Sequence, residues 1–188
     1  MTLLGAILAG GAGTRIGGGK HRQQLGDKML LDWALAWLKP QVKALAIVGN
    51  TPDLSDWRHQ VLPDDRRLSG PASGLKSALQ WASQDAEADL FVIPCDMPYL
   101  PDTLAGALHT PDVAVPSVEG SAIWAISRWP SDRVVPALTA LARYPDDAAP
   151  SLRQVFEDVA AITVPFAADA AFLGINTRDE LDKARQHL

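Results

Sequence analysis

Between Leu8 and Lys20 the chain reads LAGGAGTRIGGGK, with glycine at positions 10, 11, 13, 17, 18 and 19 and cations at Arg15 and Lys20. Each glycine removes a Cβ and lets the backbone close around a ligand, with amides aimed at phosphate oxygens. An arginine can grip two phosphate oxygens at once, and a lysine adds a point charge. Two better-known phosphate motifs fail here. A Walker A loop needs a hydroxyl after Gly-Lys, and His21 follows Lys20. The pattern G-x-G-x-x-G breaks at Ile16 in Gly11-Ala12-Gly13-Thr14-Arg15-Ile16. His21 is expected to face solvent.

The second chemical segment is LFVIPCDMPYLP, Leu90–Pro101, in which an apolar run ends in Asp96 between prolines. Ligands of open α/β sheets bind beyond the carboxyl ends of the strands. Asp96 would stand at that edge, beside the glycine-rich turn. A hard carboxylate in such a place suits Mg²⁺, which takes one or two carboxylates plus substrate phosphates and waters. A helix cap before Pro98 is the other reading of Asp96. Cys95 has no histidine partner in the sequence pattern and reads as a buried small hydrophobe.

The elements that must position these residues alternate along the chain. Strands are expected at 3–9, 45–48, 90–93, 113–115, 122–126 and 162–164. Helices are expected at 30–38, 74–82, 101–108, 131–141, 151–156 and about 178–186, and 144–150 reads as a loop. In the first helix Leu30, Ala34 and Leu38 share a face, with Trp33 and Trp37 on a neighbouring one. Thr177 and Glu180 have capping-box spacing at the start of the last. This alternation predicts a single-domain, three-layer α/β/α fold over residues 1–188, with a mostly parallel sheet.

Composition removes several function classes. A net charge of −5 on 188 residues, with no basic run, argues against nucleic-acid binding. One cysteine allows no internal disulfide and fits a reducing, cytoplasmic setting. The apolar start Leu3–Ala9 lacks a charged leader and meets glycines at once, so it reads as a buried strand rather than a signal peptide. No apolar run approaches the roughly 20 residues of a membrane helix.

The opening LAGG-x-G-x-R-I-G-G-x-K resembles that of the molybdenum cofactor guanylyltransferases, the MobA family of NTP transferases, with Ile16 for the usual Met. Pro94-Cys95-Asp96-Met97-Pro98-Tyr99-Leu100-Pro101 resembles the family's P-C-D-x-P-Y-[IL]-P, whose aspartate binds the catalytic magnesium. Gly70–Leu75 is similar to its G-P-L-A-G loop, and Leu173–Leu181 to its closing V-N-[VI]-N-T-P-E-E-L. The likeness runs from Leu4 to about Ala184.

The resemblance implies a Rossmann-like nucleotidyltransferase fold and transfer of GMP from GTP to molybdopterin or its molybdenum form, with Mg²⁺ as cofactor. Leu8, Ala9, Gly10 and Gly11 would hold the nucleotide through the backbone. Arg15, Lys20 and Asp96 would serve catalysis, Asp96 as the metal ligand. Asn50, Asp64 and Gly74 would line the nucleotide site, with Asp65 an alternative register for Asp64. Lys28 and Asn176 would add phosphate or metal contacts. Gly11 favours GTP, since CTP-using relatives commonly carry LAAG. Contact with molybdoenzymes or other cofactor-biosynthesis proteins is a further implication, and tryptophans such as Trp33, Trp37, Trp57, Trp124 and Trp129 are candidates to face a partner or the acceptor.

Two departures fall on the acceptor side. The family's His-Pro pair is missing from Val118–Trp124, and Gly174 replaces the first closing asparagine. They keep two other readings open: a related transferase using CTP or another NTP with a sugar- or polyol-phosphate acceptor, and a non-catalytic GTP- or cofactor-binding protein.

Overall fold

A computed structural model describes residues 2–11, 13–167 and 172–186; Ala12 of the glycine-rich segment lies outside them. The first strand, β1 (Thr2–Leu8), runs parallel to β4 (Ala44–Val48) on one side and β6 (Ala88–Pro94) on the other. Beyond β4 lies β5 (Gln60–Leu62), also parallel. On the other flank β9 (Ser127–Trp129) runs antiparallel to β6 and to β7 (Ala114–Val118), and β10 (Ile162–Phe166) lies parallel to β7. The order is β10-β7-β9-β6-β1-β4-β5, and β8 (Ser121–Ala122) hangs on β7. A separate hairpin joins β2 (Gln24–Leu25) and β3 (Lys28–Met29).

All of β6 is buried, as a central strand covered on both faces must be. Its side chains alternate between two cores. Leu90 and Val92 pack with α2 (Pro71–Ala82), α4 (Ser131–Leu141) and α5 (Leu152–Asp158). Phe91 and Ile93 pack with α1 (Leu30–Leu38) and α3 (Leu104–Ala107) on the opposite face. These are the three layers that the alternation predicts. Gly5 lets α1 approach β1: a Cβ there would stand 2.8 Å from Leu38 Cδ2. The last helix, α6 (Arg178–Arg185), starts at the expected Thr177–Glu180 capping box. No helix among the described residues is long and apolar enough to cross a membrane.

Three expected elements change. The helix over 101–108 shrinks to α3, because Pro101 belongs to a turn that its carbonyl closes onto the Leu104 amide at 3.0 Å. The strand over 122–126 does not form. A turn closed by Ile126 N–H donating to Ile123 O at 3.1 Å separates β8 from β9, and both strands run antiparallel to β7. The second helix starts at Pro71 rather than Gly74, with proline in the first turn, where its missing N–H costs nothing.

Candidate active site

The parallel register sets Leu8 of β1 opposite both Val48 and Pro94, so three strands end level with one another. The loops leaving those ends carry the residues that the sequence singles out. After β1 the amides of Ala9 and Gly10 donate to Val48 O at 2.8 and 3.1 Å. The chain then makes two short 3₁₀ turns, Thr14–Ile16 and Lys20–Arg22, separated by Gly17, Gly18 and Gly19, all with positive φ. This backbone conformation is one that side chains with a Cβ resist, and it delivers Lys20 across the sheet edge.

There the Lys20 ammonium bonds to the Asp96 carboxylate and donates to Asn176 Oδ1 at 2.7 Å. Asp96 is buried. Its carbonyl accepts the Ile175 amide at 2.9 Å, which fastens the closing segment to the end of β6. Asn176 is held in turn by its own amide, which donates to Glu180 Oε2 at 2.7 Å, and by Nδ2 on Gly174 O at 3.2 Å. The Asn176 amide is the main cause holding the Glu180 carboxyl below its ordinary range. A Cβ on Gly174 would lie 3.1 Å from Asn176 Nδ2 and 3.6 Å from Asp96 Oδ2, so the glycine leaves room around both. Next to Asp96, burial pushes the Cys95 thiol up to about 12.

A cavity of ≈ 470 Å³ opens beside the turn, with Leu8, Gly10, Gly11, Asn50, Asp64 and Gly74 in its wall. Asn50 Oδ1 accepts the Asp64 amide at 3.0 Å, joining the loop after β4 to that after β5. The Asp64 carboxylate sits between two glycines: Cβ atoms on Gly10 and Gly74 would stand 3.0 and 3.1 Å from its oxygens. Burial raises its carboxyl above the ordinary range. The alternative, Asp65, also lines the cavity, but its carboxylate is engaged by α2. It accepts from Lys76 Nζ at 3.0 Å and Gln80 Nε2 at 3.3 Å. Burial pushes Asp65 up, but Lys76 and the Arg67 amide outweigh it and hold the carboxyl low.

Several candidates are placed elsewhere. Ala9 is buried in the core, its amide consumed by Val48, so it supports the turn rather than lining the cavity. Arg15 is exposed and outside the cavity wall, with Glu180 within reach of its charge. Lys28 is exposed on the β2–β3 hairpin, its ammonium 4.8 Å from the Trp33 ring centroid, because the Trp33 indole ties the hairpin to α1 by donating to Leu25 O at 3.0 Å. Trp129 is fully buried and Trp124 stacks on Phe156 at 5.8 Å, so neither is a free surface ring.

His21 does not face solvent. It is 1% exposed, because the Lys20–Arg22 turn folds it against Trp57, edge-on at 5.6 Å, with Nε2 3.2 Å from both Asp53 oxygens. Arg66 and Ser69 also line this cavity, and no motif in the sequence marks them. Their only signal is their place between Asp64 and Gly70.

Arranged this way, the edge offers a glycine-rich backbone, one lysine and one strand-end carboxylate to a polyphosphate, with a cavity of mixed polar and apolar lining alongside for the rest of a nucleotide. Comparisons with known proteins agree in type. The molybdenum cofactor guanylyltransferase of Acidiphilium cryptum (strain JF-5) is 34% identical over 188 residues, covering 97% of this chain and 93% of that protein. That of Rhodobacter capsulatus is 32% identical over 197 residues, covering 100% and 97%. The crystal structure of molybdopterin-guanine dinucleotide biosynthesis protein A from Archaeoglobus fulgidus shares the fold, with a TM-score of 0.74 at 20% identity over 98% of this chain and 97% of that one. Residues 5–164 match the MobA-like NTP transferase domain, and the chain is a member of that family.

Proposed function

We propose that this nucleotidyltransferase moves GMP from GTP to a terminal phosphate of molybdopterin or its molybdenum form, releasing pyrophosphate in the cytoplasm. The observation that carries the reading is the meeting of Lys20 and Asp96 at the sheet edge where the glycine-rich turn leaves β1 and the loop leaves β6. The relatives' names supply the nucleotide and the acceptor.

An acceptor phosphate oxygen attacks the α-phosphorus, the bond from that phosphorus to the β-phosphate bridge breaks, and pyrophosphate leaves with the electron pair. The attacking phosphate is already ionised near neutral pH, so the protein needs no general base. Its task is to align the groups and offset their charge. Leu8, Gly10 and Gly11 wall the nucleotide site with backbone that the Ala9 and Gly10 amides fix on Val48, and Asn50, Asp64 and Gly74 shape the cavity for it. Lys20 exchanges its bond with Asp96 for one with the triphosphate, and Arg15 meets the outer phosphates from the exposed turn.

The donor set fits Mg²⁺. Asp96 and the Asn176 amide oxygen converge on one point, now marked by the Lys20 ammonium, and both are hard oxygen donors. Bound there, Mg²⁺ would neutralise charge on the phosphates. The decisive assay is pyrophosphate release by the purified protein with Mg²⁺, molybdopterin and either GTP or CTP. Release is expected with GTP and acceptor together. A preference for CTP, or transfer to a sugar or polyol phosphate instead, would replace the substrate assignment; GTP binding without release on any acceptor would end the enzymatic one.

A further inference from the structure

His21 follows Lys20 directly, yet nothing in the reaction just described uses it. Its imidazole is buried, and its only polar bond among the described residues runs from Nε2 to the Asp53 carboxylate. Asp53 belongs to a 3₁₀ segment, Pro52–Trp57, that is firmly anchored. Leu54 is fully buried in the core, and the Trp57 indole donates to Asp32 Oδ1 at 2.7 Å in the first turn of α1. The same segment leaves the loop that carries Asn50. A second cavity, ≈ 390 Å³, continues from the nucleotide cavity and is walled by Gly10, Gly11, Gly19, His21, Asn50 and Asp64. His21 therefore stands where the Lys20 turn touches the loop after β4, under the ligand space that both enclose.

We propose that His21 is the positioning residue for Lys20: through Asp53 it clamps the glycine-flanked turn to a segment fixed on α1, and so holds the ammonium at the phosphate site. The clamp adds to bonds that lie within the turn, Gly18 N–H on Gly13 O at 2.9 Å and Gln23 Nε2 on Gly18 O at 2.8 Å, by tying the turn to a different segment. Gly17, Gly18 and Gly19 precede Lys20 with positive φ and no side chains, a stretch with unusually large backbone freedom to lose. Arg22 also reaches Asp53 and Asp56, but it is 36% exposed and its pairs are screened by water. The imidazole is buried and packs edge-on against Trp57, so it restrains the turn through packing as well as through the Asp53 carboxylate.

This role rests on the GMP-transfer reading, and the test separates the two. His21→Leu fills the space without a donor; His21→Gln keeps an N–H at similar reach. Amide hydrogen exchange of Arg22 and Gln23, which donate within the turn to Gly19 and Lys20, reports the clamp without any reaction. His21→Leu should exchange there about tenfold faster than the wild type. Its kcat should fall by about 10- to 100-fold while KM for GTP stays within about threefold, since a misplaced group costs turnover more than ground-state binding. His21→Gln should recover most of both. If His21→Leu does not fold, Asp53→Ala should give the same pattern, with Arg22→Gln close to wild type. Wild-type exchange and kcat in His21→Leu, or equal losses in the Leu and Gln variants with KM rising in proportion, would overturn the proposal. Absence of GMP transfer by the wild-type protein would overturn the enzyme reading alone, leaving the exchange rates to decide whether His21 holds the turn.

Discussion

The ammonium of Lys20 is bonded to the carboxylate of Asp96, 76 positions further along the chain. Strand register explains the meeting. Leu8 pairs with Pro94, so the turn after β1 and the loop after β6 leave the sheet side by side, and Cys95 N–H donates to Leu8 O at 3.1 Å across the gap. The pair is partly buried, with 19% and 11% of the two side chains exposed, which makes either charge costly to leave alone.

Asp96→Asn should abolish GMP transfer at saturating Mg²⁺ while leaving the circular dichroism spectrum unchanged, because the amide keeps the shape and loses the charge. Lys20→Ala should lower kcat by about 100-fold or more, the usual scale for a group aimed at developing charge. Pyrophosphate release measures both. Unaltered turnover in Asp96→Asn would remove it as the metal ligand, and a near-normal Lys20→Ala would remove the lysine from catalysis.

Gly10→Ala should raise KM for GTP by about tenfold and change kcat less, as expected for lost ground-state binding. The new methyl group would lie 3.0 Å from Asp64 Oδ2 and 3.4 Å from Gly49 Cα, so it must push the carboxylate into the cavity. Titration of initial rates against GTP checks this; an unchanged KM would take this cavity out of the nucleotide site.

Asp64 should reveal itself through pH. Burial raises its carboxyl above the ordinary 3.8. Between that value and the raised one the folded chain binds more protons than the unfolded chain, so stability falls as pH rises through the window and the ionised group remains a cost at pH 7. Asp64→Asn should therefore raise Tm at pH 7 by roughly 1–3 °C, given about 2–4 °C per kcal/mol for a chain this size. The gain should vanish below pH 3.8. The same variant should bind GTP more weakly. A lower Tm at pH 7, or a gain that persists in acid, would contradict the assignment of the cost to this carboxylate.

The mostly parallel sheet and the meeting of the glycine-rich turn with Asp96 at one of its edges were legible from residue type and order. Apolar β1 and β6 run straight into glycines and into Asp96, and a parallel sheet places both exits on one edge. What could not be read depends on contacts remote in sequence. β5 is only Gln60–Leu62, too short for a periodic signal, and exists because β4 offers it an edge. Lys28 looks equivalent to Lys20 as text, but the β2–β3 hairpin sends it to Trp33. His21 looks like a surface residue among polar neighbours; its burial is decided by Asp53 and Trp57, more than thirty positions away. Asp64 and Asp65 are indistinguishable as neighbours until Lys76, one helical turn into α2, claims the second.

Cys95 has a practical consequence. It is the chain's sole cysteine, it is 4% exposed, and its thiol ionises only near 12. Alkylating reagents attack the thiolate, so at neutral pH they will pass this residue by. The natural sequence is thus a ready background for attaching one fluorophore through an engineered surface cysteine, for example at Arg66 on the cavity rim, without first stripping out a competing reactive group.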